Sequence, residues 1–256
     1  SWLVSATVHD ADRYLAPSRT LSVRVYSSAT GELLWAGFRG ESGIDRRKPL
    51  GLGTIGALEE LAPVVARDLL RDLPAAPDAA PSGGAERARS RLGKVAVVPF
   101  TGTTAWLPTR SAEAATEAAR ARFLADGVRL VSPNQLFDIL RRLQGGRWGG
   151  VTAETRAALE EAGADTILTG TVEAYELGGS EAEPEPRVTV ALRLLETTSG
   201  RILWTGCEER EGWDRQGLFR RGRVYSRGAL AGKILDTLAR RLDGERIEVG
   251  ARPEGL

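Results

Sequence analysis

One cysteine, one histidine and no methionine stand among the 256 residues, and aromatic residues make up only 6%. The lone Cys207 can form neither an internal disulfide nor a paired-cysteine metal or redox site. The lone His9 leaves one imidazole at most as base, ligand or pH switch, so most hydrolase and metalloenzyme arrangements lack their parts. Charge of one sign is missing too: 35 Lys and Arg meet 34 Asp and Glu, a net charge of +1, and no global field draws the chain to nucleic acid or lipid. No run of about 18 apolar residues occurs, which excludes a membrane-spanning helix. The opening Ser1-Trp2-Leu3-Val4 carries no initiator methionine and no charged-then-apolar leader. The expectation is that a leader or larger portion was removed, or that the chain is a piece of a longer product.

What is present is a composition of 42% hydrophobic and 27% charged residues, enough to bury a core without a disulfide or metal. Its most informative feature is an internal repeat. Arg24 and Arg193, Gly31 and Gly200, Leu34 and Leu203, Trp35 and Trp204, and Gly37 and Gly206 all lie 169 positions apart. The same offset carries Leu61 to Leu230, Val65 to Ile234, Leu69 to Leu238 and Leu73 to Leu242. Upstream the offset is 164, matching residues 4–8 to 168–172. The extra five residues fall at 178–186, a Gly, Glu and Pro-rich stretch that reads as an exposed connection. Between the copies runs Pro74-Ala75-Ala76-Pro77-Asp78-Ala79-Ala80-Pro81-Ser82-Gly83-Gly84, which continues neither helix nor sheet. The expected domains are therefore a partial first copy at 1–73, a linker at 74–92, a complete copy at 93–243 and a tail at 244–256.

Period and punctuation divide the second copy further. Residues 94–100 form an apolar run suited to a central strand. Residues 111–126 read as an Ala-rich helix stopped by Gly127, and 128–131 as a second strand. Ser132-Pro133-Asn134-Gln135 reads as a capping box for a helix bearing Leu136, Ile139, Leu140 and Leu143. Thr152 starts another helix that ends at Gly163. Period two then takes over for strands at 166–177, 187–196 and 201–209, the last two joined by Thr197-Thr198-Ser199-Gly200. A final helix sets Leu230, Ile234, Leu238 and Leu242 in a single apolar stripe. The fold class is thus α/β with a mixed sheet, of order β-α-β-α-α-β-β-β-α, preceded by a partial β-β-β-α copy. A three-stranded meander with one helix leaves an edge and a sheet face unsatisfied. The strand at 2–8 is accordingly expected to be completed by upstream residues or by another subunit.

Candidate chemistry is sparse. Gly51-Leu52-Gly53-Thr54-Ile55-Gly56 fits a dinucleotide-binding spacing, with Asp72 at the distance of a ribose-binding acid. However, Arg46-Arg47-Lys48-Pro49 precedes it where a strand is required, and Arg220, Gly222 and Tyr225 stand at the repeat-equivalent positions of Gly51, Gly53 and Gly56. A plain lead-in to a helix is the preferred reading. His9 with Asp10 and Asp12 offers donors for a divalent ion, but surface acids beside a lone histidine are ordinarily unliganded, and no metal or cofactor is assigned. Glu208 and Glu209, adjacent on a strand, point to opposite faces and cannot act on one bond together. Trp35 and Trp204 read as core. Trp148, between glycine pairs at 145–146 and 149–150, sits where binding residues concentrate. Arg210, Arg215, Arg220, Arg221, Arg223 and Arg227 alternate with Trp213, Phe219 and Tyr225, beside acidic Glu208, Glu209, Glu211 and Asp214. As a functional segment it suits a protein interface. The candidate interface residues are Trp148, Trp213, Phe219, Arg220, Arg221, Arg223 and Tyr225, and no catalytic set is assigned.

Lys94-Val95-Ala96-Val97-Val98-Pro99-Phe100, Val131-Ser132-Pro133 leading a helix, residues 163–172 beginning Gly163-Ala164-Asp165, and Glu196-Thr197-Thr198-Ser199-Gly200-Arg201-Ile202-Leu203 before Trp204 together resemble the periplasmic domain of the CsgG family, the curli secretion channel. The related LpoB-type outer-membrane lipoproteins and the amino-terminal domain of TolB share that layout. The resemblance covers residues 94–242, and 2–73 for its second half. It implies a non-enzymatic, lipoprotein-like bacterial envelope protein, periplasmic and outer-membrane associated. Such a scaffold or accessory subunit of a secretion or envelope assembly would act by protein contact, as a homo-oligomer or hetero-complex. The 206–227 connection lacks the alternating apolar strands of a membrane barrel, so a pore is not expected. The alternative is a nucleic-acid or nucleotide-binding module using residues 210–227.

Overall fold

The computed structural model describes residues 1–12, 17–46, 53–75, 92–102, 109–144, 151–180, 184–214, 223–245 and 247. The first part is an antiparallel meander, β1 (Trp2–Asp12), β2 (Ser18–Ser27) and β3 (Leu33–Ser42), followed by helix α1 (Leu58–Arg71). The second part runs β4 (Lys94–Val97), β5 (Thr101–Gly102), α2 (Thr109–Ala125), β6 (Arg129–Leu130), α3 (Pro133–Gln144), α4 (Ala153–Glu161), β7 (Thr166–Gly179), β8 (Pro184–Glu196), β9 (Ile202–Glu211) and α5 (Arg227–Gly244). Its sheet is mixed, in the order β6-β4-β7-β8-β9, with β4, β5 and β6 pairing in parallel and β7, β8 and β9 antiparallel. The chain is therefore α/β, as expected.

Five layers result. Helices α3 and α4 cover one face of the mixed sheet through Leu136, Ile139, Leu140 and Leu159. Helices α2 and α5 cover its other face and also carry the three-stranded sheet on their far side, while α1 packs on that sheet's outer face. One apolar core runs through the middle layers, joining Tyr26, Leu33 and Ala36 of the first part to Leu168, Leu192, Trp204 and Leu238 of the second. Along β3 the faces alternate as a strand requires. Trp35 and Gly37 point to Leu69 of α1, while Phe38 and Gly40 point to Gly232 and Gly228 of α5.

The two meanders match bond for bond. The β1–β2 register shifts between Val8 and Asp10, and the β7–β8 register shifts between Val172 and Ala174. Gly43 N–H donates to the Pro17 carbonyl and Gly212 N–H to the Pro186 carbonyl, at 2.8 and 2.9 Å. Ile55 N–H reaches the Gly43 carbonyl at 3.1 Å and Val224 N–H the Gly212 carbonyl at 2.8 Å. Turn glycines Gly31 and Gly200 adopt φ of +68° and +74°. Gly37 lies beneath the Trp35 indole against Leu69, and Gly206 beneath Trp204 against Leu238.

Four local expectations need correction. In the connection at 178–186, residues 178–179 and 184–186 are strand, because β7 and β8 stay paired out to Gly179 and Pro184. The strand at 94–100 ends at Val97, where Phe100 N–H turns aside to the Thr116 hydroxyl at 2.9 Å before pairing resumes at β5. Helix α5 carries two buried faces: Leu230, Ile234, Leu238 and Leu242 on one, and Gly228, Ala231, Leu235 and Ala239 on another, since it lies between two sheets. The Ser132 hydroxyl donates to the Gly31 carbonyl at 2.9 Å, tying the β2–β3 turn to the start of α3. Thr152 does cap α4, its side chain accepting from Thr155 N–H.

Candidate interaction surface

Among the described residues β1 has a strand of its sheet on one side alone, and its first half is exposed on both faces. Trp2, Leu3, Val4 and Val8 are 46, 61, 65 and 45% exposed, in a strand without a charged residue before His9. Registers show which side each faces. Val4 and Val8 pair with Val25 and Leu21, and Val25 pairs with Trp35, so Val4, Ala6 and Val8 share the face on which α1 lies. Beside them α1 exposes Leu70, 48% accessible, while its Leu61, Val65 and Leu69 are buried. An apolar flank thus extends from an open strand edge across a sheet face to a helix.

The backbone at this edge follows from one bond. Ser28 N–H donates to the Ser1 carbonyl, so the polar groups of residues 1, 3, 5 and 7 turn toward β2. Antiparallel pairing alternates, and those of Trp2, Val4 and Ala6 turn away from it. Unpaired strand polar groups of this kind template pairing with another chain.

The opposite face of the same meander holds a buried polar cluster. Arg24 Nε lies 3.3 Å from Glu117 Oε2 of α2, and Arg120 bonds the other Glu117 oxygen while donating to the Val97 carbonyl at 3.0 Å. His9 is buried with Nε2 2.8 Å from the Ser22 hydroxyl and its ring 6.2 Å from that of Phe38. Desolvation holds its pKa below the ordinary value, against the opposing pull of Glu113 and Glu117 and with a smaller push from Arg24. Asp10 accepts from Arg227 with both oxygens at 3.0 Å, and Arg227 also lies over the Tyr175 ring. Among the described residues no group of three or more His, Cys, Asp or Glu is placed to hold a metal ion. Cys207 is exposed, and burial followed by nearby Glu173, Glu209 and Glu208 pushes its thiol up, away from the nucleophilic thiolate.

The Arg-aromatic segment is drawn inward where it is described. The Arg223 side chain is 4% exposed, 3.4 Å from Glu185 and over the Tyr225 ring at 5.1 Å. Arg210 bonds Glu208 and the Thr237 hydroxyl, and Tyr225 N–H donates to Asp45. Trp213 stands 38% exposed in the turn after β9. Trp148, Phe219, Arg220 and Arg221 lie outside the described residues, as do Gly51 and Leu52 of the glycine run. Glu208 also pairs with Arg241 and Glu209 with Arg187, so neighbouring carboxylates meet different cations. The α1-side flank went unforeseen in one part: Leu70, one residue past a buried Leu69, carries no periodic signal of its own. No described helix is long and apolar enough to cross a membrane.

No family model matches this chain, and no curated protein does. Solved structures with a partial likeness include the PelC dodecamer from Paraburkholderia phytofirmans, at 21% identity over 62% of this chain and 89% of that one, with a TM-score of 0.37. Lipoprotein GNA1162 from Neisseria meningitidis is similar at 15% identity over 59% of this chain and 99% of that one, TM-score 0.41. The LpoB C-terminal domain from Escherichia coli is similar at 18% identity over 50% of this chain and 94% of that one, TM-score 0.34.

Proposed function

We propose that this chain is a non-enzymatic scaffold or accessory subunit of a bacterial envelope assembly, acting through protein contact at the β1 edge. The observation that carries the reading is the exposure of Trp2, Leu3, Val4 and Val8 on a strand whose outer polar groups have no neighbouring strand in its sheet among the described residues. Such an edge costs solubility unless a partner covers it, and natural proteins otherwise blunt it with charge or proline. The sequence resemblance of residues 94–242 to CsgG-type and TolB-type periplasmic domains supports an envelope setting. The bond-for-bond agreement of the two meanders supports two copies of one unit, the first at 1–73 and the second at 93–243. A single histidine packed against Ser22 and a cysteine held as thiol support a non-catalytic role.

The nucleic-acid alternative gains nothing from Arg210, Arg223 and Arg227, each of which meets a carboxylate of the chain itself. The test is a photo-crosslinking residue placed at Val4 in the bacterium that encodes the chain, with a second at Phe137 of α3 as reference. A discrete adduct specific to Val4, enriched in the envelope fraction, is expected. Equal labelling at both places, or none at Val4, overturns the reading.

A further inference from the structure

The two meanders are alike, but only one is fully covered. On β7, Leu168 and Val172 are fully buried in the core beneath α2. They pair with Leu194 and Val190 as Val4 and Val8 pair with Val25 and Leu21. Alongside β7 run β4 and β5, in parallel, and the Leu168 carbonyl accepts from Val98 N–H at 3.0 Å. The first meander has α1 where the second has α5, but Val4 and Val8 lie open. On the helices the contrast repeats: Ala239 of α5 is 4% exposed, and Leu70, 169 positions before it, is 48% exposed. The positions left bare are those that a strand like β4 and a helix like α2 cover in the second part.

Charge adds a requirement on the occupant. Asp236 of α5 lies 3.4 Å from Arg122 of α2. The residue 169 positions earlier, in α1, is Arg67, and it is exposed. A helix lying beside α1 as α2 lies beside α5 must therefore offer a carboxylate where α2 offers Arg122. A second copy of this chain paired edge to edge about a two-fold axis would bring another Arg67 to the same side of the joined sheet, and would run antiparallel. It meets neither requirement.

The geometry points to a strand–helix segment of a partner protein as the occupant. An apolar strand runs parallel to β1 along Trp2, Val4 and Ala6, and the helix that follows lays a small-residue face over Val4, Val8 and Leu70 with an acidic side chain against Arg67. The small face follows from α2, whose Ala112, Ala115, Ala118 and Ala119 are buried in the core it shares with β7 and α5. This rests on the protein-contact reading above and gives the partner its form.

The probe is the chain's own β4–α2 segment, a labelled peptide of residues 94–125 carrying R122E, titrated into the full chain beside the unaltered peptide. Saturable binding is expected, tighter for the R122E peptide by roughly fivefold, the size of one exposed charge reversal. In R67E protein the preference inverts. Ala6→Pro removes an outward N–H while sparing the bonds to β2, so it weakens both peptides at least about tenfold with the urea midpoint unchanged. Failure of both peptides to bind, or binding indifferent to the charges at 67 and 122, overturns the inference. If the Val4 crosslinker still captures an envelope protein in that case, the contact reading stands without it. A dimer that Ala6→Pro dissolves and that the peptide does not displace assigns the flank to a second copy instead.

Discussion

Arg24 Nε of β2 lies 3.3 Å from Glu117 Oε2 of α2, an ion pair that joins the first meander to the helix layer of the second. Glu117 is nearly sealed from solvent and holds Arg120 on its other oxygen, so one carboxylate answers two guanidinium groups. Removing it leaves two partly buried cations without their anion. Glu117→Gln is expected to lower unfolding stability by about 3 kcal/mol, the scale for breaking a buried pair from one side. Urea denaturation measures this, and a loss below about 1 kcal/mol would show that water already screens the pair.

The close approach at the two Trp-Gly positions gives a paired test. An added Cβ at Gly206 collides with Trp204 and Leu238, and one at Gly37 collides with Trp35 and Leu69. Trp204 is 4% exposed, whereas Trp35 is only half-buried and so less confined. Gly206→Ala is therefore expected to cost about 2 to 3 kcal/mol and Gly37→Ala about 1 kcal/mol. Thermal or urea unfolding of both variants checks the order, and equal costs would mean that neither indole can move.

Exposure at β1 predicts separation of binding from stability. Val4 is 65% exposed, so Val4→Lys should shift unfolding by no more than about 0.5 kcal/mol. It should nonetheless abolish crosslinking at a reporter placed at Ala6, because a lysine on a strand edge opposes pairing. Retention of the adduct in this variant would move the contact off β1.

The likeness of the two meanders was legible in sequence because its devices are local. A turn glycine forced to positive φ at Gly31 and Gly200, and a glycine two residues after a tryptophan at Gly37 and Gly206, leave fixed marks at fixed spacing. The stacking of both sheets on one helix pair was not legible. Its signal lies in Gly228, which lets α5 approach Thr20, but a small residue on a helix is consistent with many contacts. Glu117 and Arg120 on α2 are both buried, yet no local pattern in the sequence distinguishes them from a solvated i, i+3 charge pair. The inward turn of the described arginines in the aromatic segment was hidden for a similar reason. Charge density along the chain does not reveal that Arg223 and Arg227 fold back onto Glu185 and Asp10.

His9 supplies the pH test. Burial favours the neutral ring, so the folded chain holds this proton less tightly than the unfolded chain does. The unfolded state then binds more protons as pH falls past the ordinary value of 6.5, and stability contributed by neutral His9 is complete above that point and lost below it. Glu113 and Glu117 oppose the shift and Arg24 reinforces it, so the loss is bounded by about 1.4 kcal/mol per pH unit. Groups remote from His9 contribute equally to the stability of wild type and His9→Asn. The difference between their urea-derived stabilities should therefore shrink between pH 7.5 and pH 5.5, as wild type alone loses the histidine contribution. Parallel pH profiles would show that His9 accepts its proton in place, with Glu117 near enough to hold the charge.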